Sequence, residues 1–102
     1  MNRRIKLSAT AKKKLSVLLE YLEEEWSAKA KIDFIQKLDK SLNQISRFPN
    51  SNPKSTLVKD LHKCVVTRQT ILFYKFSENE VFVVTIIDSR RDPDSLRQEL
   101  LK

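Results

Sequence analysis

Residues 61–88, LHKCVVTRQTILFYKFSENEVFVVTIID, decide the fold. Val, Ile, Thr, Phe and Tyr dominate the stretch, and these are the side chains that suit a pleated, half-buried surface. Polar punctuation falls at Arg68-Gln69 and at Ser77-Glu78-Asn79-Glu80. The pattern therefore predicts three strands, at about residues 63–67, 70–76 and 81–87, joined as an antiparallel meander. The last of them is apolar on both faces and is expected to be the most buried. The chain has no glycine, so its turns lack the usual occupant of left-handed backbone. Asn79 is the residue expected to take that conformation.

Towards the N-terminus the period changes from two to 3.6. Ala11, Leu15, Leu18, Leu19, Leu22 and Trp26 recur at steps of three and four and draw one stripe along a helix. Ser8 or Thr10 offers its N-cap, and residues 4–7 before it can form a short strand. Ser27 reads as a second N-cap. Ala28, Ile32, Ile35, Leu38, Leu42 and Ile45 continue the helical stripe as far as Phe48, and Pro49 closes the segment because it cannot extend the hydrogen-bond ladder. Two helices with almost no linker must fold back as a hairpin. The only loop-like stretch of any length is residues 50–55, Asn-Ser-Asn-Pro-Lys-Ser. The expected class is α+β: a short N-terminal strand, then a two-helix hairpin packed on an antiparallel sheet. Leu18, Leu22, Leu38, Leu42, Phe73, Val84 and Ile86 should share its core.

A length of 102 residues suits one domain spanning the chain. Forty per cent hydrophobic and 32% charged residues make a globular composition with a heavily charged exterior. No apolar run approaches the roughly 20 residues that span a bilayer, and the N-terminus lacks the apolar core of a signal peptide. A cytoplasmic protein without membrane contact is expected, and the single cysteine, Cys64, agrees with a reducing compartment. The formal charge of +7 favours an anionic partner: nucleic acid, ribosome or acidic protein. Residues 1–14 hold six basic and no acidic side chains, while Glu20, Glu23, Glu24 and Glu25 gather at the far end of the same helix. The molecule should be electrically polar.

The order strand, two helices, three-stranded meander resembles the RelE/ParE toxin fold. Three local patterns resemble the ParE branch in particular. Ala30, Phe34, Leu38, Leu42, Ile45 and Pro49 look like that family's helix-to-loop pattern. Lys63-Cys64-Val65-Val66-Thr67 followed by Ile71-Leu72-Phe73-Tyr74-Lys75 is similar to its central hairpin with an aromatic pair. Most specific is Asp88-Ser89-Arg90-Arg91-Asp92-Pro93, which looks like the closing Asp-x-Arg-x-Asp-Pro signature. The resemblance implies a toxin of a type II toxin–antitoxin pair, of the kind that stabilises plasmids, neutralised by a cognate antitoxin that wraps around it. No cofactor is implied.

Within that family one fold serves two mechanisms, since RelE-like members cut messenger RNA on the ribosome and ParE-like members poison DNA gyrase. RNA cleavage needs a base for the 2′-hydroxyl, cations for the charged phosphorane and an acid for the leaving oxygen. Arg68, Arg90 and Arg91 could supply charge, and His62 or Lys63 a base. RelE-like enzymes commonly carry a catalytic Tyr or His near the C-terminus, whereas this chain ends Leu-Arg-Gln-Glu-Leu-Leu-Lys over residues 96–102. That favours the ParE-like mechanism, with Arg68, Arg90 and Arg91 as target contacts. A plain nucleic-acid-binding module is a further alternative, supported by net charge alone. Structural roles compete for the same residues. His62 reads also as a hairpin-edge residue, Cys64 as a small buried hydrophobe and Tyr74 as core with its hydroxyl at an edge. Tyr21 and Trp26 either close the helix hairpin or receive an antitoxin helix. Arg90 or Arg91 can bridge Asp88 or Asp92 while the other meets the target. With one histidine and no clustered acids, no metal site is expected.

Overall fold

The computed structural model describes residues 2–55 and 60–90. Four strands and two helices follow one another as β1 (Arg4–Leu7), α1 (Ala9–Glu25), α2 (Ala28–Arg47), β2 (His62–Thr67), β3 (Thr70–Phe76) and β4 (Glu80–Asp88). Both N-caps are serines. The Ser8 hydroxyl accepts from the Ala11 N–H at 2.9 Å, and that of Ser27 from the Ala30 N–H at 3.0 Å. Each satisfies a donor that the first helical turn leaves without an intrahelical partner. Helix α2 ends at Arg47 with Phe48 as its C-cap, and Pro49–Ser51 form one 3-10 turn at the start of the expected loop.

The sheet order is β1-β4-β3-β2. The meander is antiparallel as expected, whereas β1 joins β4 in parallel, from Arg4 opposite Glu80 to Leu7 opposite Val83. The sheet is therefore mixed. A parallel neighbour needs a long crossover, and the helix hairpin together with β2 and β3 lies between these strands in the chain.

Helices α1 and α2 cover one face. Ala11, Leu18, Leu22, Phe34, Leu38 and Ile45 pack on Cys64, Leu72, Tyr74, Val81, Val83 and Ile86, with Leu42 partly buried against them. Phe73 and Val84 are not in this core. They lie with Leu61, Ile71 and Ile87 in a second cluster. A bulge separates the two sets on β4: Phe73 pairs with Thr85 and Tyr74 with Val83, which leaves Val84 without a partner on β3. One extra residue slips the alternation by one, so Val81, Val83 and Ile86 pack under the helices while Val84 and Ile87 do not.

Two ends of the helical stripes also depart from expectation. Trp26 and Ile32 are 63% and 53% exposed, and Phe34 takes the buried position in the first turns of α2. Asn79 is not left-handed. Residues 77–80 close through the Ser77 N–H on the Glu80 carbonyl at 2.9 Å, and among the described non-glycine residues only Asp60 has positive φ, at 67°. Asp is one of the few side chains that tolerate this region.

Candidate functional site

Two sets of polar and aromatic groups form at opposite ends of the β2–β3 hairpin. The first lies beyond the hairpin turn. Asp88, the last residue of β4, sits opposite Thr70, the first of β3, and is buried. Its carboxylate accepts from the Thr70 hydroxyl at 2.6 Å and from Nε and Nη2 of Arg90, each at 2.7 Å. The Arg90 N–H donates to it as well, at 3.0 Å. Burial alone would raise the Asp88 carboxyl, but the hydrogen bonds from Arg90 and Thr70 outweigh it and hold the group below the usual carboxylate range. The same bonds raise Arg90 against its own burial, with a small contribution from Tyr21. A bidentate pair of this kind fixes the guanidinium plane.

Arg90 held in this way lines a groove of about 230 Å³ with Leu22, Trp26, Phe34, Lys37, Thr67 and Gln69. Trp26 stands at the C-cap of α1. Gln69 belongs to the hairpin turn and accepts the Ser89 N–H through its carbonyl at 2.8 Å. Arg68, its neighbour on the turn, is exposed. The structure thus brings Arg90, Trp26 and the Arg68 turn to one end of the molecule, with Tyr21 close behind. Arg91 lies outside the described residues.

The second set holds His62. Its ring stacks on Tyr74 at 5.4 Å between centroids and tilts against Phe76 at 5.3 Å. Nδ1 lies 2.8 Å from the Asn52 carbonyl. A carbonyl only accepts, so Nδ1 carries the hydrogen and the neutral ring has its lone pair on Nε2. The Asn52 side chain donates to the Gln44 side-chain oxygen at 3.0 Å and to the Tyr74 hydroxyl at 3.1 Å. That hydroxyl donates in turn to the Pro49 carbonyl at 2.7 Å. Tyr74 is the core residue with a satisfied hydroxyl that its strand position suggested. His62 is less a hairpin-edge residue than part of a latch that ties residues 49–53 to β3.

The four candidates for nuclease chemistry are not brought together. His62 and Arg68 stand six residues apart along one hairpin arm, on the order of 20 Å at the usual strand rise. Lys63 lines a different cleft, between α2 and β2, with Lys37 and Lys40. Cys64 is buried beside Ser41, and burial pushes its thiol up despite the Ser41 hydrogen bond. A buried thiol raised in this way fits a packing side chain and not a nucleophile. No group of three metal-ligating side chains occurs among the described residues, and none of the described helices is long and apolar enough to cross a membrane. Sequence reasoning missed Thr70, Phe34 and Lys37 as parts of the first set. Thr70 is linked to Asp88 only through sheet register, which spacing along the chain does not reveal.

The family described as the ParE toxin of type II toxin-antitoxin system, parDE, matches over residues 5–93. The chain belongs to the ParE toxin family. Comparison with curated proteins gives no match. Among solved structures, the fold is similar to the chromosomal ParDE TA system from P. aeruginosa, with a TM-score of 0.69 at 10% identity over 84% of this chain and 95% of that one. It is also similar to the E. coli DinJ-YafQ toxin-antitoxin complex, with a TM-score of 0.60 at 13% identity over 89% and 97%. A mutant of the E. coli toxin RelE in the free state gives 0.57 at 16% identity over 97% and 94%. At such identities the likeness carries the fold: two helices on a four-stranded mixed sheet, shared by ParE-like and RelE-like toxins alike. This ParE-family chain is thus the toxin of a type II toxin–antitoxin system.

Proposed function

We propose that this toxin arrests growth by protein contact with DNA gyrase, that the groove at Trp26 and Arg90 with the neighbouring Arg68 is its contact surface, and that a cognate antitoxin neutralises it in the cytoplasm. The observation that carries the reading is the dispersal of the candidate proton-transfer groups. His62 is committed to Asn52 and Tyr74 at one end, and Arg68 and Arg90 stand at the other. A base and its cations must converge within hydrogen-bond reach of one phosphate. Arg68 and a locked Arg90 beside an exposed tryptophan fit a contact surface instead, since Arg and Trp are the residues that anchor interfaces. Arg91, which follows Arg90 directly in the chain, is proposed as a further target contact. Trp26 at this groove, with Tyr21 near Arg90, also suits an antitoxin helix, which would neutralise by covering the target contact.

The test is induction of the toxin with separate readouts of gyrase-trapped DNA breaks and of cellular RNA ends. DNA breaks with intact messenger RNA are expected. Codon-phased RNA cuts with intact DNA would overturn the reading in favour of a ribosome-dependent nuclease. Co-expression of the protein encoded beside the toxin should abolish both the breaks and the arrest.

A further inference from the structure

On the face of the sheet that the helices do not cover, one row of side chains crosses three strands. Ile5 and Leu7 of β1 pack on the helix-covered core, as do Val81 and Val83 of β4. Alternation therefore turns Arg4, Lys6, Glu80 and Phe82 the other way. Register sets Lys6 beside Phe82 on one side and Lys75 beside it on the other. The Lys75 Nζ lies over the Phe82 ring, 5.6 Å from its centroid. At the end of β3 the Arg3 guanidinium lies over the Phe76 ring, also at 5.6 Å, and its Nε donates to the Ser77 carbonyl at 2.7 Å. A cleft of about 330 Å³ touches both rings and is lined by Lys75, Phe76, Ser77, Glu80 and Phe82.

An aromatic ring with cations on both sides suits a single nucleic-acid strand, in which each nucleotide offers a base to stack and a phosphate to neutralise. Arg3, Arg4, Lys6 and Lys75 outnumber the two acids of the turn, Glu78 and Glu80, on a chain of charge +7. Glu80 is the one acid among the described residues that line the cleft. Its ion pairs with Lys6 at 3.0 Å and Arg4 at 3.9 Å both use Oε2, which leaves Oε1 to accept. A carboxylate accepts from the N4 amino group of cytosine and repels the O4 of thymine. We propose that this cleft binds a single strand of DNA, with one base stacked on Phe82, its flanking phosphates on Lys6 and Lys75, and Glu80 selecting cytosine. A duplex is a poor occupant, since its bases are stacked on one another and offer the ring no open face. The inference deepens the gyrase reading and rests on it for the choice of DNA over RNA. The two contacts then lie at opposite ends of β4, protein at the Trp26–Arg90 groove and strand at the β3–β4 turn.

Fluorescein-labelled oligodeoxycytidine and oligodeoxythymidine, each about twelve nucleotides long, are the probes, titrated with the intact toxin by fluorescence anisotropy. Oligodeoxycytidine should bind about fivefold more tightly than oligodeoxythymidine, and a duplex of the same length more weakly than either. Phe82→Ala should weaken binding about tenfold, and Phe82→Tyr, which keeps the ring, should restore it. Lys75→Gln, at an exposed position, should reduce the slope of log affinity against log salt by roughly 0.7. Glu80→Gln should tighten both strands and erase the preference for cytosine. Unchanged affinity in Phe82→Ala would overturn the proposal by reducing the site to a charged patch, as would tighter binding of the duplex or of an oligocytidine RNA. Gyrase-trapped DNA breaks are scored in a separate assay. Breaks without oligonucleotide binding sink this proposal and leave the gyrase reading standing, and binding without breaks does the reverse.

Discussion

Asp88 is the residue on which the candidate site turns. It is buried, it accepts four hydrogen bonds from two side chains and one backbone N–H, and its carboxyl is held below its ordinary value. A carboxyl with a lowered folded pKa contributes stability that is fully present above the unfolded value of about 3.9 and is lost as pH falls through the folded value. Asp88→Asn should therefore destabilise the toxin by about 1–3 kcal/mol at pH 7. In denaturant unfolding, the gap between variant and parent should narrow as pH is lowered below about 4. A gap that stays constant down to pH 2 would mean that Asp88 holds Arg90 by shape and not by charge. Thr70→Val should show part of the loss with a smaller share of the same pH dependence, because its hydroxyl is one of the donors that hold the carboxyl down. Ser8 is a second residue with two tasks, since its hydroxyl caps α1 and also donates to the Val84 carbonyl at the bulge at 2.5 Å. Ser8→Ala should cost about 1–2 kcal/mol. Ser8→Asp can cap but cannot donate, so it should fail to restore the parent's stability. Full rescue by Asp would show that the bulge bond contributes nothing.

At the scale of elements, the two helices and all four strands were legible because period and punctuation are local properties. Ser8, Ser27, Pro49, Arg68-Gln69 and residues 77–80 all mark boundaries where the structure has them. What was not legible is what depends on neighbours distant in the chain. Nothing local says that β1 runs parallel to β4, or that Val84 is the extra residue of a bulge. Without the bulge, strict alternation from Val81 cannot place both Val83 and Ile86 under the helices. The same holds for the site: Asp88 and Arg90 were visible as a charged pair, whereas Thr70 joins them only through register. Two substitutions separate the faces. Leu38→Ala, beneath α2, should cost about 2–5 kcal/mol through transfer and cavity terms. Phe73→Ala, in the second cluster, should cost about 3–5 kcal/mol. As the two side chains share no cluster, the double variant should lose close to the sum, within about 0.5 kcal/mol. Strong coupling in equilibrium unfolding would place both residues in one core after all.

For the whole molecule the decisive property is the distance between its two ends. The latch of His62, Tyr74, Asn52 and Pro49 sits at one, and the Arg68 turn with the Arg90 clamp at the other. If toxicity works through contact with a topoisomerase, the ends should be separable by mutation. His62→Asn keeps a donor for the Asn52 carbonyl and should leave toxicity unchanged, with at most a modest loss of stability from the missing ring stack. Arg68→Glu alters an exposed turn residue outside the Asp88 clamp, so the fold should persist while charge complementarity with the target is reversed. Arg90→Glu would confound the test, because it sets a second carboxylate against buried Asp88. Growth arrest, scored beside thermal unfolding of each purified variant, should therefore be lost for Arg68→Glu and retained for His62→Asn. The reverse pattern would point to a base at His62: removing it should lower RNA cleavage by roughly 10² to 10⁴, and the contact mechanism would fall.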